Sequence, residues 1–191
     1  MARERKFSQD ELFSATKEFL LIHGYEGFTF LLLAERLHIS RGALYKYYDN
    51  KDELITSYMI HELKQLLNRL QEVKQYVRFD DQFDFLMELI FTMPEVQQLI
   101  IIANQISANT NEKVKNNKEE LTQLHMSMYQ YLSDFVRLGR QEKKLKENIP
   151  DGLILGFIFQ TIAIPNHYGV PHTEWVASIK EIISHGMFTN K

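Results

Sequence analysis

The chain contains no cysteine. That excludes a disulfide scaffold and a thiolate metal site, and it is compatible with a reducing cytosol. Only 4 prolines and 8 glycines punctuate the 191 residues. A many-stranded sheet needs more turn formers than that, so helices are favoured. Long apolar runs are missing too. The longest, Leu153 to Ile164, includes Gln160 and Thr161 and is too short to span a bilayer. The charged start, Met1-Ala2-Arg3-Glu4-Arg5-Lys6, is not followed by a signal-peptide core. Nor is there an excess of positive charge, the net value being -3. In the first fifty residues Arg3, Arg5, Lys6, Lys17, Arg36, Arg41 and Lys46 are balanced by Glu4, Asp10, Glu11, Glu18, Glu26, Glu35 and Asp49. Attraction of a polyanion by net charge is therefore excluded, and any such contact must rest on where the cations sit.

What is present points to an ordered, soluble, cytoplasmic protein. The hydrophobic fraction of 45% and aromatic fraction of 12% are those of a folded chain. The length suits one domain or two small ones with a sizeable core. Ser8-Gln9-Asp10-Glu11 reads as a capping box opening a first helix that Gly24 ends near His23. Thr29 is placed to cap a second, whose Phe30, Leu33, Ala34 and Leu37 share one face. Asn50-Lys51-Asp52-Glu53 is another capping box, and a long amphipathic helix runs from it to about Tyr76.

Beyond it, Phe79, Phe83, Leu86, Met87, Ile90 and Phe91 stripe a helix stopped near Pro94. Residues 95–107 are mostly apolar and helical, and a loop falls within the polar stretch 107–120. A long amphipathic helix is marked by Leu121, Leu124, Met128, Tyr131, Leu132, Phe135 and Leu138, with a basic end. Pro150-Asp151 opens a helix through Ile164 that is apolar nearly all round. Trp175, Val176, Ile179, Ile182, Ile183 and Met187 stripe the last. The fold class is all-α, with about nine helices, no internal repeat and no defensible strand.

Residues 28–54 carry the most specific signal. A short apolar helix is followed by the turn Leu37-His38-Ile39-Ser40 and then by a second short helix rich in Arg, Lys and Tyr. Such turns favour glycine for its positive φ; here His38 takes that position, at a cost of about 1 kcal/mol. Ile39 plugs the angle between the helices. Ser40 caps the second helix and leaves its N-terminus facing outward. Leu44 and Tyr48 point back to a core. Gly42 and Ala43 are small enough to let the backbone approach base edges, Ala43 suits a thymine methyl, and Arg41 and Lys46 reach guanine or phosphate. Tyr45 and Tyr47 offer hydroxyls, and Lys51 heads the next helix toward phosphate. Thr29, Tyr45, Tyr47 and Lys51 would set register on a duplex, Ser40 would leave the helix N-terminus free to face phosphates, and Arg41, Gly42, Ala43 and Lys46 would read bases. On spacing alone, two short helices packed in an all-α core fit equally well.

The segment resembles the tetracycline-repressor (TetR) family of bacterial transcription regulators. The resemblance rests on Gly24-Tyr25 and Gly27, on Ala34-Glu35-Arg36, on Ile39-Ser40-Arg41-Gly42-Ala43-Leu44-Tyr45-Lys46-Tyr47-Tyr48, and on Lys51-Asp52-Glu53-Leu54. It covers roughly residues 7–55. It implies a three-helix helix-turn-helix head over 1–52, extending into helix four. It further implies a helical ligand-binding and dimerisation body over 53–191, and a homodimer on a palindromic operator in double-stranded DNA. Thr29, Arg41, Gly42, Ala43, Tyr45, Tyr47 and Lys51 match positions where that family touches DNA. His38 replaces the usual turn glycine. Leu31 and Leu32 replace a commoner polar pair, so helix two is expected to expose apolar surface. Tyr47 and Tyr48 stand where His and Phe are frequent.

The arm Arg3, Arg5, Lys6 suits a minor groove, although a solvated free terminus is the simpler reading. A helix apolar all round must be covered on all sides. A second subunit is the favoured cover for Leu153, Phe157 and Ile164, with Trp175, Ile179 and Ile183 beside them; a central position within one chain is the less favoured alternative. With an axis of two-fold symmetry the recognition helices stand about 34 Å apart or a multiple of that. Phe83, Met87, Phe91, Met126 and Tyr129 are the residue types of an adaptable effector pocket, and also of an ordinary core.

His167 and His172 flank a turn without a third ligand nearby, so no metal and no cofactor is expected. No phosphate loop, nucleophile elbow or zinc-helix motif is present, so no catalytic residue is expected. The function implied is a ligand-responsive transcriptional repressor. The alternatives are a helical protein-interaction module, or a helical enzyme without a recognisable motif.

Overall fold

A computed structural model describes residues 7–93 and 96–187. Among these, ten α-helices form and no β-strand does. They are α1 (Gln9–Gly27), α2 (Phe30–Arg36), α3 (Arg41–Leu44), α4 (Lys51–Leu70), α5 (Phe79–Phe91), α6 (Val96–Gln105), α7 (Glu112–Tyr131), α8 (Ser133–Gln141), α9 (Asp151–Gln160) and α10 (His172–Met187). Single 3-10 turns follow α4 at Gln71–Gln75 and α9 at Thr161–Ala163. No described helix is long and apolar enough to cross a membrane. The arm Arg3, Arg5, Lys6, the predicted helix stop Pro94 and the side chain of Met187 lie outside the described residues.

The chain divides into two compact units, Met1–Leu63 with Gln98–Gln123, and Lys64–Gln97 with Leu124–Lys191. The first therefore holds more than the predicted head. Its core joins Leu12, Phe13 and Leu20 of α1, Phe30 and Leu33 of α2, Leu44 of α3, and Leu54, Ile55 and Tyr58 of α4 to Ile102 of α6, Ile106 just after it, and Val114 of α7. The first predicted capping box forms locally, and the second forms by one half only, its Glu53 carboxylate accepting from Asp49 N–H rather than from Asn50 N–H. Glu11 N–H donates to Ser8 Oγ at 3.1 Å while Ser8 N–H donates to Glu11 at 2.7 Å. Glu53 N–H donates to Asn50 Oδ1 at 2.9 Å. The Glu11 carboxyl is held below its usual range by those serine hydrogen bonds. Gly24, at φ 65°, kinks α1, and one further turn carries it to Gly27.

The second unit has its own core. Leu86, Met87 and Ile90 of α5 pack with Phe135 and Val136 of α8, Ile154 and Ile158 of α9, and Ile179 and Ile183 of α10. The predicted long helix over Leu121 to Leu138 is two helices. Leu132, at φ -96° and ψ 5°, offsets α8 from α7, and Leu132, Phe135 and Val136 are all buried. Acids on α5 are paired across the unit, Asp80 with Lys144 at 2.7 Å and Asp84 with Lys180 at 2.6 Å. The basic end of α8 caps neighbouring backbone: Arg140 donates to the carbonyls of Glu147 and Ile149, each at 2.8 Å, and pairs with Asp151.

α2 and α8 end in the same way. Beyond α2, His38 N–H donates to Glu35 O at 3.2 Å and Ile39 N–H to Ala34 O at 2.9 Å. Beyond α8, Lys143 N–H donates to Arg140 O at 2.9 Å and Lys144 N–H to Gly139 O at 2.8 Å. These are Schellman closures, whose pivot takes a left-handed backbone. Both pivots are non-glycine, His38 at φ 53° and Lys143 at φ 55°. Ile39 follows the first pivot and turns its side chain into the core, the apolar contact such closures carry. The predicted strain at His38 is thus present. Replacing His38 by glycine relieves it against a smaller loss from a freer unfolded chain, and is expected to raise stability by no more than about 0.5 kcal/mol in urea denaturation.

Candidate nucleic-acid interface

The α2–turn–α3 segment leaves α3 only one buried anchor. Leu44 is fully buried, and Arg41, Gly42, Tyr45 and Lys46 on either side of it are exposed. Ala43 is half-buried. Four residues are too few for a helix with a continuous apolar face, so after Leu44 the chain leaves the helix into a turn over Tyr45, Lys46 and Tyr47. Tyr45 sets its ring edge-on to Phe30, centroids 5.0 Å apart. Tyr47 does the same to Phe7 at 5.8 Å and is half-buried. Thr29 caps α2, its hydroxyl oxygen accepting from Leu32 N–H at 3.3 Å. The predicted apolar surface on α2 is Leu31, which is exposed.

Two expectations need correction. Ser40 stands at the N-cap of α3 with an extended backbone, but its hydroxyl makes no capping bond. Its carbonyl accepts from Ala43 N–H at 2.9 Å instead, so the backbone closes the short turn. Lys51 does not simply extend toward a phosphate. Its ammonium donates to the Tyr25 carbonyl at 2.7 Å and lies 4.1 Å from the Tyr25 ring centroid. Partial burial at the head of α4 favours that hold, because an ammonium leaving water needs an acceptor.

An open groove of about 450 Å³ brings together Thr29, Arg41, Tyr45 and Lys51. Phe28, Phe30, Leu31, Asp49 and Asn50 complete its wall. It has a cationic and hydroxyl-bearing rim over an aromatic floor. Gly42, Ala43, Lys46 and Tyr47 lie along α3 and its following turn, outside the groove.

Beneath the groove lies a polar network that sequence reading missed. Asp52 and Glu53, in the first turn of α4, are buried. Tyr25 Oη donates to Asp52 Oδ1 at 2.8 Å, and Thr110 Oγ1 to Asp52 Oδ2 at 3.0 Å. Asp49 N–H donates to Glu53 Oε2 at 3.0 Å, and Lys113 Nζ meets Glu53 Oε1 at 2.9 Å. Asn117 Nδ2 donates to Thr56 Oγ1 at 2.9 Å. The capping box was a legible signal for Asp52 and Glu53; nothing local marks Thr110 or Lys113 as their partners.

The body residues separate. Phe83, Met87 and Phe91 are buried together on α5. Tyr129 is half-buried at the edge of that core, 6.4 Å from the Phe159 ring. Met126 is 58% exposed, on the outer side of α7, which removes it from an enclosed pocket. Leu153, Phe157 and Ile164 are exposed, and Trp175 is half-buried. Ile179 and Ile183 are buried in the core of their own unit and are not available as a surface. Their neighbour Ile182, 66% exposed, takes that place on α10. The error arose because α10 is apolar at all three positions, and a sequence stripe does not say which edge faces inward.

Residues 12–58 match the family model of the bacterial regulatory proteins, tetR family. No curated protein matches the chain. Among solved structures it is similar to the transcriptional regulator FadR from Bacillus subtilis in complex with stearoyl-CoA, at 17% identity over 94% of this chain and 99% of that one, with a TM-score of 0.70. It is similar to the ketosteroid transcriptional regulator KstR2 of Mycobacterium tuberculosis, at 15% identity over 100% and 98% of the two chains, TM-score 0.67. A TetR transcription regulator from Haloarcula marismortui gives 17% identity over 94% and 97%, TM-score 0.69. At these identities the likeness is one of fold.

Tyr25 supplies a pH test of the network. Burial, with Asp52 adding, pushes its hydroxyl from 10.0 up to about 12. The folded state therefore favours the protonated phenol. Its contribution is whole below pH 10 and lost as pH rises toward 12. Tyr25→Phe should cost about 1–2 kcal/mol at neutral pH in chemical denaturation, and should remove the component of alkaline destabilisation in that window.

Proposed function

We propose that this chain, a member of the tetR family of bacterial regulatory proteins through its N-terminal head, is a ligand-responsive transcriptional repressor that binds a palindromic operator as a homodimer. The observation that carries this reading is the rooting of Leu44 in the core with Arg41, Gly42, Tyr45 and Lys46 left in solvent on either side. Arg41, Gly42, Ala43 and Lys46 read base edges in the major groove. Thr29, Ser40, Tyr45, Tyr47 and Lys51 hold the backbone in register. Lys51 keeps its grip on Tyr25 while offering its remaining ammonium protons to phosphate.

Exposed Leu153, Phe157 and Ile164, with Ile182 and the edge of Trp175, support pairing of two copies through α9 and α10. A two-fold axis then presents two reading segments to two half-sites. The effector is placed beside Phe83, Met87 and Phe91, with Tyr129 as a polar point. Because a fold relative holds stearoyl-CoA, long acyl thioesters are the first class to test. An effector releases DNA through its higher affinity for a dimer whose half-site spacing no longer fits. The site of action is the cytoplasm, where operator and metabolite meet.

Selection from a random duplex pool should enrich an inverted repeat. Failure to enrich one would remove both the operator and the two-fold reading. On that repeat, Arg41→Ala and Lys46→Ala should each cost about 1–3 kcal/mol and relax preference at particular bases. Thr29→Ala should weaken all sequences alike, and affinity should fall steeply with salt. These are read by fluorescence anisotropy at several salt concentrations.

A further inference from the structure

We propose that Lys113, on α7 and outside the segment matched to the family, is a positioning residue for DNA binding: it masks the charge of Asp49 and holds the turn between α3 and α4. The inference rests on the DNA-contacting surface proposed above. Asp49 lines the same groove as Thr29, Arg41, Tyr45 and Lys51, and its side chain is 66% exposed. A bare carboxylate there repels phosphates across a distance shorter than the screening length of physiological salt. Lys113 Nζ stands 3.5 Å from its Oδ2 and 2.9 Å from Glu53 Oε1. One ammonium thus spans an exposed and a buried carboxylate.

The same atoms fix geometry. The other Glu53 oxygen accepts the Asp49 N–H at 3.0 Å. Glu53 therefore grips the main chain of Asp49 while Lys113 grips its side chain. The Glu53 side chain is only 6% exposed, so without Lys113 it keeps a hydrogen bond but loses its counter-charge. The ammonium is held above the ordinary lysine range, chiefly by its hydrogen bond to Glu53, with Asp49 adding, so it stays charged under working conditions. Of the cations lining this groove, Lys51 is engaged by Tyr25 and Arg41 is exposed to solvent; Lys113 stands within ion-pair distance of Asp49.

The test uses the full-length chain and a duplex carrying the enriched inverted repeat. Lys113→Met should weaken binding about three- to tenfold at low salt, with the difference shrinking as salt rises. Asp49→Asn alone, at an exposed side chain that leaves the Lys113–Glu53 pair intact, should bind as tightly as wild type or tighter. Adding Asp49→Asn to Lys113→Met should restore most of the lost affinity, yet not the thermal stability lost with the Glu53 pair. That split separates charge masking from a purely structural role. Unchanged affinity in Lys113→Met, or a double variant as weak as the single, overturns the inference, as does weaker binding by Asp49→Asn. Arg41→Ala distinguishes the levels: if it too leaves affinity unchanged, the surface assignment fails; if it weakens binding while Lys113→Met does not, only the role of Lys113 fails.

Discussion

Two adjacent buried carboxylates at the start of α4 organise the first unit. Asp52 and Glu53 sit in the first helical turn, where the exposed N–H groups of the helix favour negative charge. Burial alone would make them costly. Here each is satisfied: Asp52 by Tyr25 and Thr110, both distant in sequence, and Glu53 by the neighbouring Asp49 backbone and the distant Lys113. The arrangement ties together the end of α1, the turn before α4, the loop before α7 and the start of α7. Removing one partner leaves a buried charge short of a hydrogen bond, which costs more than the bond itself contributes.

On that base the α2–turn–α3 segment needs little of its own. α3 is one turn long, anchored by Leu44 and by the aromatic pairs that Tyr45 and Tyr47 make with Phe30 and Phe7. The Schellman closure at His38 aims it, with Ile39 as the apolar stop. The strain accepted at His38 is local and is offset by the packing on either side of it. Solvent exposure of Arg41, Gly42 and Lys46 follows from brevity: a helix this short buries one residue and offers the rest.

In the second unit the same physics leaves a different kind of surface. α9 is apolar on nearly every side, and its own unit covers Ile154, Leu155 and Ile158 but not Leu153 or Phe157. α10 repeats the pattern, with Ile179 and Ile183 inside and Ile182 outside. An uncovered apolar edge of this kind costs free energy in water until a surface of matching shape meets it.

Local chemistry was legible from the residues alone. Helical periods, the Ser8 box, the Asn50 and Thr29 caps, the left-handed turn at His38 and the buried Leu44 all depend on contacts within a few positions, and such contacts are encoded by neighbours in the chain. What depended on tertiary structure were the choices among equals. Ile182 rather than Ile183 faces water, Met126 lies outside while Met87 lies inside, and Ser40 leaves its capping role to the backbone. Lys51 turns to Tyr25, and Lys113 reaches back across the chain to Asp49 and Glu53. Partners that far apart in sequence are chosen by packing, because charge and side-chain type say that a lysine needs an acceptor but not which one will be within reach.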